Sequence, residues 1–144
     1  AVFYDPVKEV LGISHCGWRG TVKKLAVKVI KKMEKFFNCH PSDILVGISP
    51  CIDSCCYEVG PDVFMEFCNS FGSSGKTFFY QKNGSLHLGM KKAIKFQLIE
   101  AGIKKEHLEI SSLCTSCRHD LFFSHRAEKG KTGRFGVMIG MTSR

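Results

Sequence analysis

Residues 9–37 read EVLGISHCGWRGTVKKLAVKVIKKMEKFF, a strand pattern followed by a turn and a helix pattern. The apolar run within residues 9–15 predicts a buried β-strand. Beyond the turn, apolar side chains recur at helical intervals, which predicts an amphipathic helix over residues 21–37. Gly17 and Gly20 mark the turn itself. A strand that leads through a tight turn into a helix predicts a fold in which helices pack on a β-sheet.

The rest of the chain alternates irregularly between strand and helix patterns. Further strands are predicted at residues 44–48, 77–81, 85–88, 108–113, 120–124 and 134–141, and further helices at residues 61–68 and 90–101. This order favours an α+β fold, with mixed β-sheets sandwiched between outer helices in α/β/β/α-like layers, over a strictly parallel sheet. The pattern contains no repeat and no internal linker, so residues 1–144 are interpreted as a single domain.

The composition predicts a soluble intracellular protein. Hydrophobic residues make up 44% of the 144, and no apolar run approaches the ~20 residues that a membrane span needs. No signal peptide is visible, and a core of this size needs no disulfide framework. The eight cysteines are therefore predicted to be reduced thiols in a cytoplasmic protein. One or two disulfide bridges, or a metal site, are the alternatives.

The chain is basic, with a net charge of +8. Much of this charge comes from lysines in the helix predicted over residues 21–37, where a solvated helix face explains it. Attraction of phosphate, a nucleotide or nucleic acid is the functional alternative. No RNA- or DNA-binding motif accompanies the lysines, so a nucleic-acid partner is not favoured.

The motif HCGWRG, which begins at His15, is the strongest candidate for a reactive site. A histidine at a strand end serves as a metal ligand or as a general acid–base group. Gly17 and Gly20 allow close approach of the backbone to a ligand, and the guanidinium of Arg19 matches phosphate or carboxylate. A tight turn with a packed Trp18 and a surface arginine explains the same residues without any function. Both interpretations remain open at this point.

A second candidate is the loop SPCIDSCCYEVG, residues 49–60, which carries three cysteines and two acids. Its thiols could bind zinc together with the C-x-x-C pair Cys114 and Cys117 and the nearby His119. Small buried side chains in a structured loop are the alternative. Glu58 is a candidate for proton handling, or for holding the loop by accepting backbone N–H bonds.

A third candidate follows Cys114, where aromatic residues alternate with polar ones. The donors that could meet a polar ligand are Ser124, His125, Arg126 and Arg134. A solvated basic loop is again the alternative.

Taken together, the segments resemble the family of laccase-domain purine nucleoside phosphorylases, also called polyphenol oxidases or YfiH-like proteins. HCGWRG resembles the family motif H-x-G-W-R-G, and SPCIDSCCYEVGPDV resembles G-P-x-I-G-x-x-x-[YF]-E-V-G. CTSCRHDLFFSHR and KTGRFGVMIG resemble its closing C-T … F-F-S-Y-R-R and T-G-R segments. The order is the same, and the resemblance spans nearly the whole chain.

This resemblance implies a zinc-assisted purine nucleoside phosphorylase that uses phosphate as co-substrate. It also implies adenosine deamination and phosphorolysis of methylthioadenosine. The candidates for catalysis are His15, Arg19 and Glu58, and His15 is also the candidate metal ligand. The candidates for substrate contacts are Gly17, Trp18, Arg19, Gly20 and Arg126, with Trp18 expected to be packed rather than stacked on a base.

The family's other two metal ligands lie in Q-x-H-G and A-D-C-x-P segments, and neither segment is found here. The resemblance therefore implies the C-terminal portion of a catalytic domain, with the N-terminal part of the same protein as its partner. The chain departs from the family at His87, His125 and Ala127, where an Asp, a Tyr and an Arg are usual. A copper-dependent phenol oxidase, with copper in place of zinc, and an inert structural half-domain are the alternatives.

Overall fold

The computed structural model describes residues 1–142 of the chain, and short strands and amphipathic helices follow one another through residues 2–110. The strands are β1 (Val2–Asp5), β2 (Val10–Ile13), β3 (Leu45–Ile48), β4 (Phe79–Lys82), β5 (Ser85–Leu88) and β6 (Leu108–Ile110). The helices are α1 (Trp18–Val22), α2 (Leu25–Phe37), α3 (Pro61–Phe71) and α4 (Met90–Glu100). β2 to β6, α3 and α4 confirm the elements predicted at these places, with ends shifted by a few residues.

The main sheet has the strand order β2-β1-β3-β6 within the described residues. β1 is antiparallel to both β2 and β3, whereas β3 and β6 are parallel. β4 and β5 pair separately as an antiparallel hairpin around Asn83 and Gly84, which both have positive φ, as a tight primed turn requires. A mixed sheet combined with separate helices confirms the α+β class.

The core lies on one face of the main sheet. Phe3 of β1 and Val46 and Ile48 of β3 are buried there, because alternate residues of a strand point to the same face. α2 packs on this face, and α4 packs on α2. A side chain at position 12 would prevent the contact, since a Cβ built on Gly12 would lie 2.8 Å from Cγ1 of Val29 in α2.

The opposite face of the main sheet presents apolar side chains to solvent. Ile13 of β2 is 53% exposed and Leu45 of β3 is 41% exposed. In residues 134–142, Met138 is 98% exposed. The described part of the chain therefore carries an apolar surface as well as an apolar core.

The helix predicted over residues 21–37 is two helices, α1 and α2, and it starts earlier than expected. The break falls at Lys24, whose backbone is left-handed, with φ of 54°. The break exposes the carbonyl of Val22, which accepts a hydrogen bond of 2.7 Å from the Ser70 hydroxyl of α3. One residue of altered backbone leaves the spacing of apolar residues intact, so the sequence pattern shows no sign of it.

Two predicted strands are wrong. Residues 120–124 form turns, because Arg118 pairs with the carboxylate of Asp120 through two bonds of 2.8 Å and its carbonyl accepts the N–H groups of two following residues. Residues 134–141 have no partner strand among residues 1–142, and an extended segment becomes a β-strand only through such pairing. Conversely, β1 was not predicted from the sequence.

Within residues 1–142, the helices are too short or too polar for any of them to cross a membrane.

Candidate functional site

A cavity of about 600 Å³ lies at one edge of the main sheet. β2 and β3 both run antiparallel to β1, and β6 runs parallel to β3, so the carboxyl ends of three strands share this edge. The segments that follow them line the cavity: residues 14–18 after β2, residues 49–52 after β3, and parts of residues 115–137 after β6. The topology thus brings together all three segments that the sequence marked as candidates.

His15 lies in the cavity wall, and the two glycines of its motif leave room for its side chain and its backbone. A Cβ built on Gly17 would lie 3.2 Å from His15 Nε2, and one built on Gly20 would lie 2.8 Å from the His15 carbonyl oxygen. The turn is also held by Thr21, whose backbone N–H donates to the Gly17 carbonyl at 2.8 Å and whose hydroxyl donates to the Cys16 carbonyl at 3.3 Å. The glycines therefore position the histidine.

Arg19 and Trp18 form a stacked pair. The guanidinium carbon of Arg19 lies 4.4 Å from the centre of the Trp18 ring, a distance typical of a cation–π contact. Trp18 packs against the core and lines the cavity, whereas Arg19 is exposed. The helix after the turn, α1, has five residues, and the long helix begins only at Leu25. Arg19 is therefore the main source of positive charge at the turn, and the helix dipole adds little.

Tyr57 contacts an arginine from the closing segment. The Arg126 guanidinium lies 5.4 Å from the centre of the Tyr57 ring and donates a hydrogen bond of 2.8 Å to the Glu58 carbonyl. Burial raises the pKa of Tyr57, and the positive charges of Arg126 and Arg19 oppose this rise. Arg126 therefore lies against a ring that lines the cavity, whereas the contact of Arg19 is with Trp18. Sequence reasoning did not select Tyr57, although it occupies the aromatic position of a family motif.

Glu58 makes its contacts through its backbone rather than through its carboxylate. It forms a bridge with His87 at the edge of β5, and its side chain is exposed. Within residues 1–142 its carboxylate neither lines the cavity nor accepts a hydrogen bond. The structure thus provides no contact for either of the two roles considered for this carboxylate.

The closing segment brings a second imidazole to the cavity. His125 lines it together with Phe123 and Arg134. The segment is held by Glu128, whose carboxylate accepts the Ser124 N–H at 2.8 Å and the hydroxyl of Thr132. These bonds lower the pKa of Glu128. The sequence marked His125 as a departure from the family pattern, and the structure places it in the same cavity as His15.

Potential metal ligands gather beside the cavity rather than at His15. Within residues 1–142, the one group of three or more His, Cys, Asp or Glu ligand atoms is formed by Cys55, Cys56, Cys114 and Cys117. Burial raises the pKa of Cys114, but N–H groups, first that of Cys117, outweigh burial and lower it to about 7. Neither Cys51 nor His119, both considered for a zinc site, belongs to this group.

Comparison with known proteins places this geometry in context. A family model described as multi-copper polyphenol oxidoreductase laccase matches residues 1–142. The purine nucleoside phosphorylase YlmD of Bacillus subtilis is 36% identical over 140 residues, which are 96% of this chain and 50% of that protein. The purine nucleoside phosphorylase LACC1 of Homo sapiens is 31% identical in an alignment of 146 positions that covers 99% of this chain and 33% of that protein.

Solved crystal structures of related proteins have a similar fold. The crystal structure of the Bacillus licheniformis hypothetical protein YfiH superimposes with a TM-score of 0.86 at 40% identity, covering 92% of this chain and 50% of that one. YlmD from Geobacillus stearothermophilus gives a TM-score of 0.85 at 34% identity. The chain spans about half the length of the bacterial relatives it matches.

Proposed function

Because the chain belongs to the multi-copper polyphenol oxidoreductase laccase family, we propose that residues 1–144 form the C-terminal portion of the catalytic domain of a purine nucleoside phosphorylase. Relatives that carry this name support an enzymatic role. The observation that favours this reaction is that two aromatic residues of the cavity wall each carry a guanidinium group, Arg19 on Trp18 and Arg126 on Tyr57, in the cavity that contains His15. A cytoplasmic location belongs to the proposal, because all eight cysteines are free thiols.

Phosphate is the ligand for the two arginines in this proposal. Guanidinium groups match phosphate oxygens in charge and geometry, and each of the two contacts a residue of the cavity wall, Arg19 contacting Trp18 and Arg126 contacting Tyr57. The cavity, at about 600 Å³, is in the size range of small-molecule sites. Its wall includes Trp18, Phe123 and the side chain of Tyr57, which supply apolar surface for a purine and a ribose.

The reaction then needs positioning and one proton. A phosphate oxygen forms a bond to the ribose anomeric carbon while the bond from that carbon to the purine nitrogen breaks. The purine leaves with the bonding electron pair and takes up a proton. In our proposal His15 donates this proton and recovers one from hydrogen phosphate, which leaves ribose 1-phosphate and free purine. Holding both reactants in one cavity supplies a large part of the rate enhancement.

A metal at His15 needs ligands from outside the described residues. No group of three ligand atoms that includes His15 exists within residues 1–142, and a catalytic zinc site uses three protein ligands. The residues present therefore do not make a metal site there, and no step is assigned to zinc or copper. The zinc assistance that the resemblance implies is proposed as an alternative role for His15, which would give one ligand to a shared site and would then not donate the proton.

Phosphorolysis of methylthioadenosine and deamination of adenosine are part of the same proposal. Methylthioadenosine differs from adenosine at the ribose, so the same phosphate and purine contacts serve both. Adenosine deamination needs an activated water at the purine ring, and the described residues suggest no group for that role. A copper-dependent phenol oxidase has weaker support, because copper redox sites use several histidines and, of residues 1–142, His15 and His125 are the only histidines that line the cavity.

The partner in this proposal is the N-terminal part of the same protein. The support is the apolar surface formed by Ile13 and Leu45 on the sheet and by Met138 near the C-terminus, since such surfaces mark interfaces. This chain spans about half the length of its bacterial relatives, so each relative has a further segment about as long as this chain.

The test is purine release from inosine and phosphate, measured by chromatography on the chain together with its proposed partner half. Arg126→Ala and Arg19→Ala should each raise the KM for phosphate by about 10- to 100-fold, the effect of losing one charge-assisted hydrogen bond. Lys32→Ala, which removes an exposed charge on α2, is the matched control and should leave the KM for phosphate unchanged.

Adenosine deamination is measured on the same variants. Arg19→Ala should weaken phosphate use more than ammonia release, because deamination does not use phosphate. Equal losses in both activities, or an unchanged KM for phosphate in both arginine variants, would contradict the assignment of the phosphate site.

A further inference from the structure

Four cysteine side chains from two segments meet beside the cavity. Cys55 and Cys56 come from the loop after β3, and Cys114 and Cys117 come from the segment after β6. All four Sγ atoms lie within 4.8 Å of one another. The Cys117 Sγ lies 3.4 Å from that of Cys55 and 3.4 Å from that of Cys56.

These distances suit one metal ion at the centre. In a tetrahedral site with Zn–S bonds of ~2.3 Å, neighbouring sulfurs are separated by ~3.8 Å. The observed separations span this value, so small side-chain movements suffice to complete the tetrahedron. Four thiol ligands with no histidine or carboxylate match the closed ligand set of structural zinc. Cys55 and Cys117 are exposed and Cys114 is buried, which gives an ion a path from solvent.

The backbone around the cluster is already held in place. The bridge between Cys51 and Cys114 aligns the two segments, and the Thr115 N–H donates to the Cys51 carbonyl at 3.2 Å. The buried Lys91 of α4 contacts both segments, since its ammonium donates to the Leu113 carbonyl at 2.8 Å and lies 3.6 Å from the Asp53 carboxylate. A site whose ligands are brought together before binding loses less entropy when the ion binds.

The Cys55–Cys56 loop has two more contacts of its own. The buried His87 pairs through Nδ1 with the Ser54 carbonyl at 2.9 Å, and the Lys82 ammonium donates to the Cys55 carbonyl at 2.9 Å. The sequence showed His87 only as a departure from the family pattern. In the structure it anchors the residue next to the cysteine pair.

We propose that Cys55, Cys56, Cys114 and Cys117 bind a single structural zinc ion that fastens the loop after β3 to the segment after β6. Both segments line the cavity, through residues such as Ile52, Tyr57 and Thr115. The ion would therefore hold two walls of the cavity together from outside it. The inference depends on the cysteine geometry and does not need the proposed reaction to be correct.

The test measures zinc in this chain, purified with a thiol reductant, by elemental analysis. One zinc ion per chain is expected. Cys117→Ser should reduce zinc to less than a tenth of this value, because a site with three thiolates and a hydroxyl binds zinc far more weakly. Cys117 is exposed, so the variant should fold, which circular dichroism checks. Cys68→Ser, outside the cluster, and His15→Ala are matched controls and should keep the full zinc content.

Cobalt replacement provides a second measurement. Co²⁺ added to the metal-free chain should give the intense visible bands of a tetrahedral thiolate site, and Cys55→Ser should abolish them. Three results would overturn the proposal: a chain that neither contains nor takes up zinc, a Cys117→Ser variant that retains it, or intact-mass data showing that the four thiols pair as disulfides.

Discussion

Gly20→Ala tests whether the shape of the turn sets the position of His15. A Cβ at this position would lie 2.8 Å from the His15 carbonyl oxygen and 3.0 Å from Cδ1 of Leu25. The leucine side chain can rotate away, but the carbonyl belongs to the backbone and can move only with the whole turn. The expected result is a displacement of His15 by a few tenths of an ångström.

The expected change in the free energy of unfolding of Gly20→Ala combines two opposing effects. Overpacking costs ~1–3 kcal/mol. Alanine in place of glycine stabilises a helix by ~1 kcal/mol, and Gly20 lies in α1. The net loss of stability should therefore be about 1 kcal/mol. The effect on phosphorolysis should be larger, about 10-fold in kcat, because a 1 Å misplacement in a catalytic site can cost about 100-fold.

Urea denaturation gives the stability, and purine release gives the rate. Gly136→Ala is the matched control, since a Cβ there meets nothing within 4 Å, and it should change stability by less than about 0.5 kcal/mol. Gly17→Ala would touch only the His15 ring, at 3.2 Å, so it should alter the rate with little effect on stability. If Gly20→Ala matched the wild type in both measurements, the close approach to the His15 carbonyl would not matter and the reasoning would fail.

Two further predictions concern the scaffold. Phe67→Ala should destabilise the chain by about 3–5 kcal/mol in urea denaturation, because Phe67 is fully buried among phenylalanine rings, whereas Phe36→Ala, at an exposed position, should change little. The buried Asp5 carboxylate accepts N–H bonds from Val7 and Lys8 that outweigh burial and lower its pKa below the ordinary 3.8. Its contribution to stability is therefore present above pH 3.8 and lost as the pH falls through the lowered pKa. Asp5→Asn should flatten the dependence of the urea midpoint on pH in this acidic range, and an unchanged dependence would exclude the carboxylate as its cause.

Periodicity identified most elements of the fold because their apolar faces are buried. β3, α3 and α4 all appear where apolar spacing predicted them. The same reasoning failed where structure depends on one residue or on a distant partner. The left-handed Lys24 splits a helix without disturbing its apolar spacing. Residues 134–141 have the composition of a strand but lack a neighbour to pair with in the described chain, and no local pattern reports this.

The candidate site was predicted in part for a similar reason. The HCGWRG motif indicated His15 and the two glycines, since strand, turn and helix signals coincide there. The placement of Arg126 on Tyr57 comes from a contact between segments about 70 residues apart. Spacing alone showed one C-x-x-C pair, Cys114 and Cys117. The adjacent pair in the loop after β3 joins it only because β3 and β6 are parallel neighbours.

The direction of the strands places the residues of the candidate site at one edge of the main sheet and Asp5 at the other. β2, β3 and β6 end at the edge where the cavity lies, and the segments after them carry His15, Tyr57 and Arg126. β1 runs the other way, so Asp5 at its end lies at the opposite edge of the sheet. A substitution there should alter unfolding and leave phosphate binding unchanged, whereas one in the His15 turn should alter phosphorolysis. Loss of phosphate binding in Asp5→Asn at neutral pH would therefore show that the two edges are coupled, which this sheet order does not predict.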